Sequence, residues 1–340
     1  MKEALPKNGR LYVRGLNWIG DAVLSLGALQ GLKKVRPDLH VTVGAPPATD
    51  GVYRLSAVVD AVVPPPRLRS GRRFDSAMIL PRSFRSAWES VFLSDRRIGF
   101  ASEGRSLLLT QVLDYQGWKR THRHQSTYYE TLVQALDPGA AFEPPVFFFS
   151  ETALSGARLR LRSFVGEGEQ AVAVNPGAFY GRAKTWPSHH FVRLLDDLFD
   201  TLPSLHAILF SGEADRPLAQ EIERRLPHPR LHSVAGELSL PESAALLSLC
   251  DALVTNDSGM MHLGSATGRP GAALFGPTDP VATGPVPPVS GRGISVLSVP
   301  TACAPCLLRE CPIDHRCMER LAPERVLSEI LTLLKGDTRP

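Results

Sequence analysis

The 340-residue chain contains no run of 18 or more apolar residues, which excludes a membrane-spanning helix. Its first ten residues, MKEALPKNGR, have no apolar stretch of the secretory kind, so a cytoplasmic protein is expected. No Gly-x4-Gly-Lys-Ser/Thr phosphate loop occurs, and no Gly-x-Gly-x-x-Gly opens a helix; a Walker-type nucleotidase and an NAD dehydrogenase are therefore disfavoured. The nucleophile elbow Gly-x-Ser-x-Gly is also missing, which weakens any hydrolase reading of Asp257, Ser258 and His262. No RNP, KH or zinc-finger motif appears and the basic stretch lacks a regular interleaving of aromatics, so nucleic acid is not the expected partner. No repeat or low-complexity tract suggests a solenoid.

What is present is ordinary globular composition, 43% hydrophobic and 21% charged, in a length that suits two domains. The net charge of +4 is unevenly spread. Residues 1–150 hold 20 Lys/Arg against 13 Asp/Glu, and residues 67–123 hold 12 against 5. Such a surface suits phosphates, carboxylates or anionic lipid headgroups, although any single arginine is more simply a solvated side chain.

Short apolar strands alternate with helical periodicity along both halves. Strands are expected at 11–15, 40–44, 61–63 and 74–80, with a helix at 22–35 between the first two. The second half repeats the pattern, with strands at 170–175, 206–210, 252–255 and 271–275. Its helices are expected near 190–199, 217–226, 240–249, 260–267 and 323–334. Strands that are almost continuously apolar indicate buried parallel sheets. The fold class expected is α/β, two Rossmann-like doubly wound domains facing a cleft. Residues 1–160 form the first and 161–340 the second, with the break inside 143–168, where Pro144-Pro145 and Gly166/Gly168 interrupt regular structure. Ligands of such sheets bind beyond the carboxyl ends of the strands, so the loops at strand exits carry the information.

Four of these loops are rich in functional groups. In Asn17-Trp18-Ile19-Gly20-Asp21, the carboxylate falls at a helix start, where capping alone would account for it. In Pro176-Gly177-Ala178 to Lys184-Thr185-Trp186-Pro187, small residues let backbone N–H groups approach an anion and Lys184 adds a positive charge. The acidic loop Ser211-Gly212-Glu213-Ala214-Asp215 offers acceptors for ribose hydroxyls, or simply helix caps. Asn256-Asp257-Ser258-Gly259 with His262 one turn further on makes a suitable diphosphate cradle, against the alternative of a core histidine.

Together with Leu80-Pro81-x-Ser83-Phe84-x-Ser86-Ala87, these loops resemble those of the ADP-heptose–lipopolysaccharide heptosyltransferase family, particularly its heptosyltransferase II branch. The resemblance implies the GT-B fold, an acceptor-binding first domain and a nucleotide-sugar-binding second domain. It implies an inverting transfer of heptose from ADP-heptose to the inner core of lipopolysaccharide, with no cofactor required for catalysis. In that reading Asp21 is the general base, and Gly177, Ala178, Lys184, Asp257, Ser258, Gly259 and His262 bind the donor. An anionic lipid-linked saccharide would be the acceptor, with peripheral contact at the inner membrane and Arg14, Arg82, Arg85, Arg97 and Arg105 as candidate contacts. The loop around Glu213 departs from the family's pattern. Another GT-B sugar transferase, a nucleotide-sugar epimerase, or a non-catalytic saccharide- or nucleotide-binding module are the competing readings.

Four of the five cysteines crowd into Cys303-x2-Cys306-x4-Cys311-x5-Cys317, with His315 between the last two. A structural metal or a redox-sensitive loop are equally compatible with this spacing. Cys250 lies on an apolar helical stripe and is expected in the core.

Overall fold

A computed structural model of the chain describes residues 5–65, 73–121, 124–289 and 291–335. Of the basic stretch, Arg67, Arg69, Arg72 and Arg123 lie outside the described residues. The chain divides into two compact units, Met1–Phe148 and Phe149–Pro340.

The first unit contains β1 (Arg10–Arg14), β2 (His40–Gly44), β3 (Ala61–Val63), β4 (Ser76–Ile79), β5 (Arg97–Phe100) and β6 (Gln111–Leu113). They pair in the order β3-β2-β1-β4-β5-β6, parallel throughout. The second unit contains β7 (Gln170–Asn175), β8 (Leu205–Leu209), β9 (Leu231–Ser233), β10 (Ala252–Asn256), β11 (Gly271–Phe275) and β12 (Ile294–Ser298). Their order is β12-β11-β10-β7-β8-β9, again all parallel. Counted within each unit, both sheets follow the doubly wound pattern of a Rossmann domain, so the strand order reverses between β1 and β4 and between β7 and β10.

The central strands are buried along nearly their whole length, as continuous apolar runs require when helices cover both faces. The edge strands β3 and β9 have only three residues each and are half-exposed. The helix Ile19–Val35 is buried at ten positions and carries Asp21 in its first turn and Lys33 and Lys34 in its last, complementing its dipole at both ends. Gly27 and Gly31 of this helix lie against the backbone of residues 141–143, where a Cβ would collide with the carbonyls of Glu143 and Ala141. The helix Ser126–Gln134 packs on it as well.

The helix Glu151–Arg162 packs on Leu240–Leu247 within the second unit. The helix Leu240–Leu247 starts with a capping box: Ser239 accepts from the Glu242 N–H and the Glu242 carboxylate accepts from that of Ser239. Cys250 is fully buried, as expected, and burial pushes its thiol up to about 12. Among the described residues, no helix is long and apolar enough to cross a membrane.

Candidate functional site

In the first unit, the loop leaving β1 is drawn tight by buried hydroxyls. The Tyr53 hydroxyl accepts from the Leu16 N–H at 3.2 Å and lies 3.2 Å from that of Ser25, while Thr49 donates to the Leu16 carbonyl at 2.6 Å. Burial raises the Tyr53 phenol to about 12, so it remains protonated. The chain then enters the helix at Trp18, which holds the N-cap position in an extended conformation without a side-chain cap. Asp21 is therefore not the capping residue. Its half-buried carboxylate accepts a 2.7 Å hydrogen bond from the Tyr129 hydroxyl, 108 positions along the chain. Burial first, and the Asp21 charge second, hold the Tyr129 phenol well above its ordinary range, which keeps it a donor. Tyr129 was not among the residues singled out from the sequence, and nothing local marks a tyrosine in an amphipathic helix as the partner of a distant carboxylate.

The five candidate arginines separate into two groups. Arg14 is buried, paired with Glu89 at 3.0 Å and donating to the Gly15 carbonyl at 2.7 Å. Arg97 donates to the carbonyls of Leu108 and Ser94 at 2.6 and 2.7 Å. Arg105 is fully buried against the carbonyls of Phe100 and Pro81, and burial pulls its pKa down. These three guanidinium groups tie loops of their own unit together. Arg82 and Arg85 are exposed, the first with its guanidinium 4.3 Å above the Tyr115 ring and the second bonded to Glu89 at 2.9 Å.

In the second unit, loops from four strand exits converge. The Asn175 side-chain amide lies 3.1 Å from the Gly177 carbonyl, 3.2 Å from the Thr255 hydroxyl and 3.1 Å from that of Ser258. Asn256 fastens both ends of the loop 176–187, donating to the Pro176 carbonyl at 2.6 Å and accepting from the Trp186 N–H at 3.0 Å. The fully buried Trp186 indole anchors the same end by donating to the Leu321 carbonyl at 2.9 Å. Gly177 packs directly on the Asp215 carboxylate and has no room for a Cβ; burial raises the pKa of that carboxyl. The acidic loop, whose pattern departs from the family's, thus borders the glycine loop.

Lys184 meets Asp257 at 2.5 Å, with side-chain exposures of only 12% and 5%. Thr278, just beyond β11, donates to the same carboxylate oxygen at 2.6 Å. The Lys184 ammonium also lies 4.8 Å from the Tyr180 ring centroid, a cation–π distance. Ser258 is the N-cap of the helix Gly259–Ala266, yet its hydroxyl is turned toward Asn175 and Thr255 rather than back onto the helix. The helix start thus carries no side-chain cap, which suits an anion. His262 is buried on this helix. Of the expected donor residues, the structure joins Gly177 to Ser258 through Asn175 and Lys184 to Asp257 directly. Thr278 and Asn256 are additions made by tertiary contact.

The cysteine segment braces the Lys184 loop. The Arg309 carbonyl accepts from the Ala183 N–H at 2.9 Å, Tyr180 donates to the Leu307 carbonyl at 2.9 Å, and His315 Nε2 lies 2.8 Å from the Ala183 carbonyl. Because a carbonyl only accepts, that His315 nitrogen carries the proton. Leu307 and His315 both adopt left-handed backbone conformations, φ 58° and 53°, held by these contacts. Cys303 and Cys306 are exposed, Cys311 half-buried and Cys317 buried, all as free thiols. Burial, with smaller contributions from the other three sulfurs, pushes the Cys317 thiol up. Among the described residues, however, no three of these sulfurs lie within 4.8 Å of one another, so they do not form the ligand cage their spacing suggested. The group whose ligand atoms are that close is His189, His190 and Glu319.

Comparison with known proteins agrees with this architecture. Residues 67–316 match the sequence profile of glycosyltransferase family 9 (heptosyltransferase). Lipopolysaccharide heptosyltransferase 2 of Salmonella typhimurium is 30% identical, over 96% of this chain and 99% of its own. The solved structure of Escherichia coli ADP-heptose lps heptosyltransferase II superposes with a TM-score of 0.80 at 26% identity, covering 96% and 99% of the two chains. Escherichia coli heptosyltransferase WaaC with ADP shares the fold, at a TM-score of 0.68 and 17% identity over 95% of this chain and 99% of its own. Two Rossmann-like domains of the GT-B type, strand-exit loops that converge on a lysine–aspartate pair, and a profile match over most of the sequence lead to one conclusion: the chain belongs to glycosyltransferase family 9, the heptosyltransferases, and is a glycosyltransferase.

Proposed function

We propose that the enzyme transfers heptose from ADP-heptose to the inner core of lipopolysaccharide, with inversion at the anomeric carbon. The observation that carries the donor half is the buried Lys184–Asp257–Thr278 arrangement beside an uncapped helix start. Gly177 and Ala178 bring backbone close to the diphosphate, and the N–H groups at Ser258-Gly259 receive its negative charge, with His262 behind them. Asp257 takes one ammonium hydrogen of Lys184 and leaves the others for phosphate oxygens. The ADP moiety is supported by the likeness to Escherichia coli ADP-heptose lps heptosyltransferase II and to heptosyltransferase WaaC with ADP; Asp215 and Glu213 at the β8 exit are acceptors offered to its ribose hydroxyls.

In the acceptor half, Asp21 takes the proton of the attacking hydroxyl as the new glycosidic bond forms and the nucleoside diphosphate departs. A carboxylate suffices because that oxygen becomes acidic only as it bonds to carbon. Tyr129 is a positioning residue: it holds one oxygen of the Asp21 carboxylate. Exposed Arg82 and Arg85 are the groups offered to acceptor phosphates and carboxylates. No step requires a metal, and the cysteine segment serves as a brace for the Lys184 loop.

Tyr129→Phe tests the positioning role. Removing a donor from an ionised acid makes its charged form less favourable, so the lower arm of the pH–turnover profile should move to higher pH while donor affinity stays unchanged. A profile that falls in height alone, without shifting, would mean that Tyr129 only packs.

The functional reading itself is tested by nucleotide release from ADP-heptose, ADP-glucose and UDP-hexoses in the presence of inner-core lipopolysaccharide, supplied both without heptose and carrying one heptose. Acceptor-dependent release with ADP-heptose far above the others is expected. Equal or greater release with a UDP-sugar would transfer the assignment to a different sugar transferase.

A further inference from the structure

The helix Phe84–Ser90, which follows the β4 exit, carries on its outer face aromatic side chains that neither the donor nor the acceptor chemistry uses. Phe84, Trp88 and Phe92 succeed one another at four-residue spacing and are 46%, 43% and 42% exposed. The Trp88 and Phe92 rings meet edge to face with centroids 6.0 Å apart, so the turn that closes the helix continues the same ridge. Ser86, Ala87 and Ser90 are buried on the opposite side. At about 100° per residue, positions 84, 88 and 92 fall within roughly 80° of one another, well away from that inner face.

The ridge is rigidly mounted. Ser83 caps the helix by accepting from the Ser86 N–H, and Glu89 on its inner flank is bonded to Arg14 and Arg85. Contiguous aromatic surface held in this way usually meets a partner.

The charges around the ridge indicate which partner. Arg82 and Arg85, which at this rim would meet the phosphates of the lipid-linked acceptor and of its neighbouring headgroups alike, are exposed at its start, and exposed Arg73 lies at its end, its N–H bonded to the Leu93 carbonyl. The Arg82 guanidinium stacked on Tyr115 brings up the helix Tyr115–Thr121, which exposes Lys119 and Arg120. Against these stand Glu103, engaged by the Phe84 N–H, and exposed Asp95 and Asp114. Glu89 is only 10% exposed and already paired. An aromatic ridge within a predominantly basic rim matches the headgroup region of an anionic bilayer, where Trp and Phe sit at the boundary and Arg and Lys meet lipid phosphates. The same rim would repel itself in a symmetric pair of chains.

We propose that this face docks the enzyme on the surface of an anionic lipid bilayer. The placement has a consequence for catalysis, which rests on the lipid-linked acceptor reading. Arg14, the last residue of β1, is bonded to Glu89 on this helix, so the ridge and the loop leading to Asp21 share one end of the sheet. A saccharide whose lipid lies in the bilayer would then present its hydroxyl near the carboxylate.

The test is sedimentation of the full chain with phosphatidylethanolamine/phosphatidylglycerol vesicles and with phosphatidylcholine vesicles. Trp88→Ser combined with Phe92→Ser is compared after its melting curve is shown to match the parent. Salt-sensitive binding to the anionic vesicles alone is expected, weakened roughly tenfold or more in the double variant. The variant should also turn over a deacylated, soluble acceptor at the parent rate while losing turnover on vesicle-embedded acceptor. Unchanged vesicle binding by the variant, equal binding to both vesicle types, or a change in oligomeric state in place of lipid binding would each overturn the proposal. Transfer to soluble acceptor without any vesicle binding would sink the docking surface and leave the transferase reading standing. Vesicle binding without transfer to any acceptor would do the reverse.

Discussion

Asp21→Asn should lower turnover by about a hundredfold to ten-thousandfold, the usual worth of a positioned general base, with donor affinity within about threefold of the parent. Asparagine keeps the shape of the side chain and can still accept the Tyr129 hydrogen bond, so the first turn of the helix Ile19–Val35 should survive. What it cannot do is receive a proton. Donor affinity is preserved because every group assigned to the nucleotide sugar belongs to the second unit, fastened by Asn175, Asn256 and Trp186 rather than by Asp21. Turnover and calorimetric titration with ADP-heptose, measured on one preparation, check both halves. A variant retaining a tenth or more of parental turnover would remove Asp21 from the chemistry. A variant that lost donor binding in parallel would show that it organises the protein instead.

Lys184→Met is expected to have two effects that a second substitution can separate. The first is on stability: Asp257, with a side chain only 5% exposed, loses its cation and keeps only the Thr278 hydroxyl, at a cost of about 3 kcal/mol. The second is on the donor, since a charged hydrogen bond to phosphate is worth about 1.5–3 kcal/mol, or roughly ten- to hundredfold in affinity. In Lys184→Met combined with Asp257→Asn the stranded charge disappears, and the amide oxygen that replaces the carboxylate can still accept from Thr278. Chemical denaturation should therefore recover most of the lost stability, while calorimetry continues to show weak donor binding. If both recover together, the pair is a structural bridge and the diphosphate lies elsewhere.

Much of this was legible in the sequence because the physics that marks it is local. A central parallel strand must be apolar on both faces, so β2, β7 and β11 were found at their observed limits. The loops after β1, β7, β8 and β10 stood out because small residues, carboxylates and a lysine interrupt those apolar runs. The strands β5, β6, β9 and β12 carry no comparable run and escaped notice; pairing with a neighbour defines them. The helices Phe84–Ser90 and Ser126–Gln134 were likewise missed, and with them Tyr129 and the exposed aromatic ridge.

The arginines show a different limit. Composition registers charge, but only tertiary structure distinguishes Arg105, spent on the carbonyls of Phe100 and Pro81, from Arg82 on the surface. The Cys303–Cys317 spacing is a further case. It suggested a ligand set, whereas the folded segment contributes its backbone, through Leu307 and Arg309, to the loop that carries Lys184.

The central claim is that the chain performs an inverting heptose transfer with Asp21 as the proposed base and the Lys184–Asp257 loops as the proposed diphosphate cradle. The most direct measurement is the mass and anomeric configuration of the product formed from ADP-heptose and inner-core lipopolysaccharide, supplied both without heptose and carrying one heptose, by mass spectrometry and nuclear magnetic resonance. Addition of a single heptose, with its anomeric centre inverted relative to the donor, is the predicted result. A product with retained configuration, or acceptor returned unchanged while ADP-heptose is hydrolysed, would contradict it.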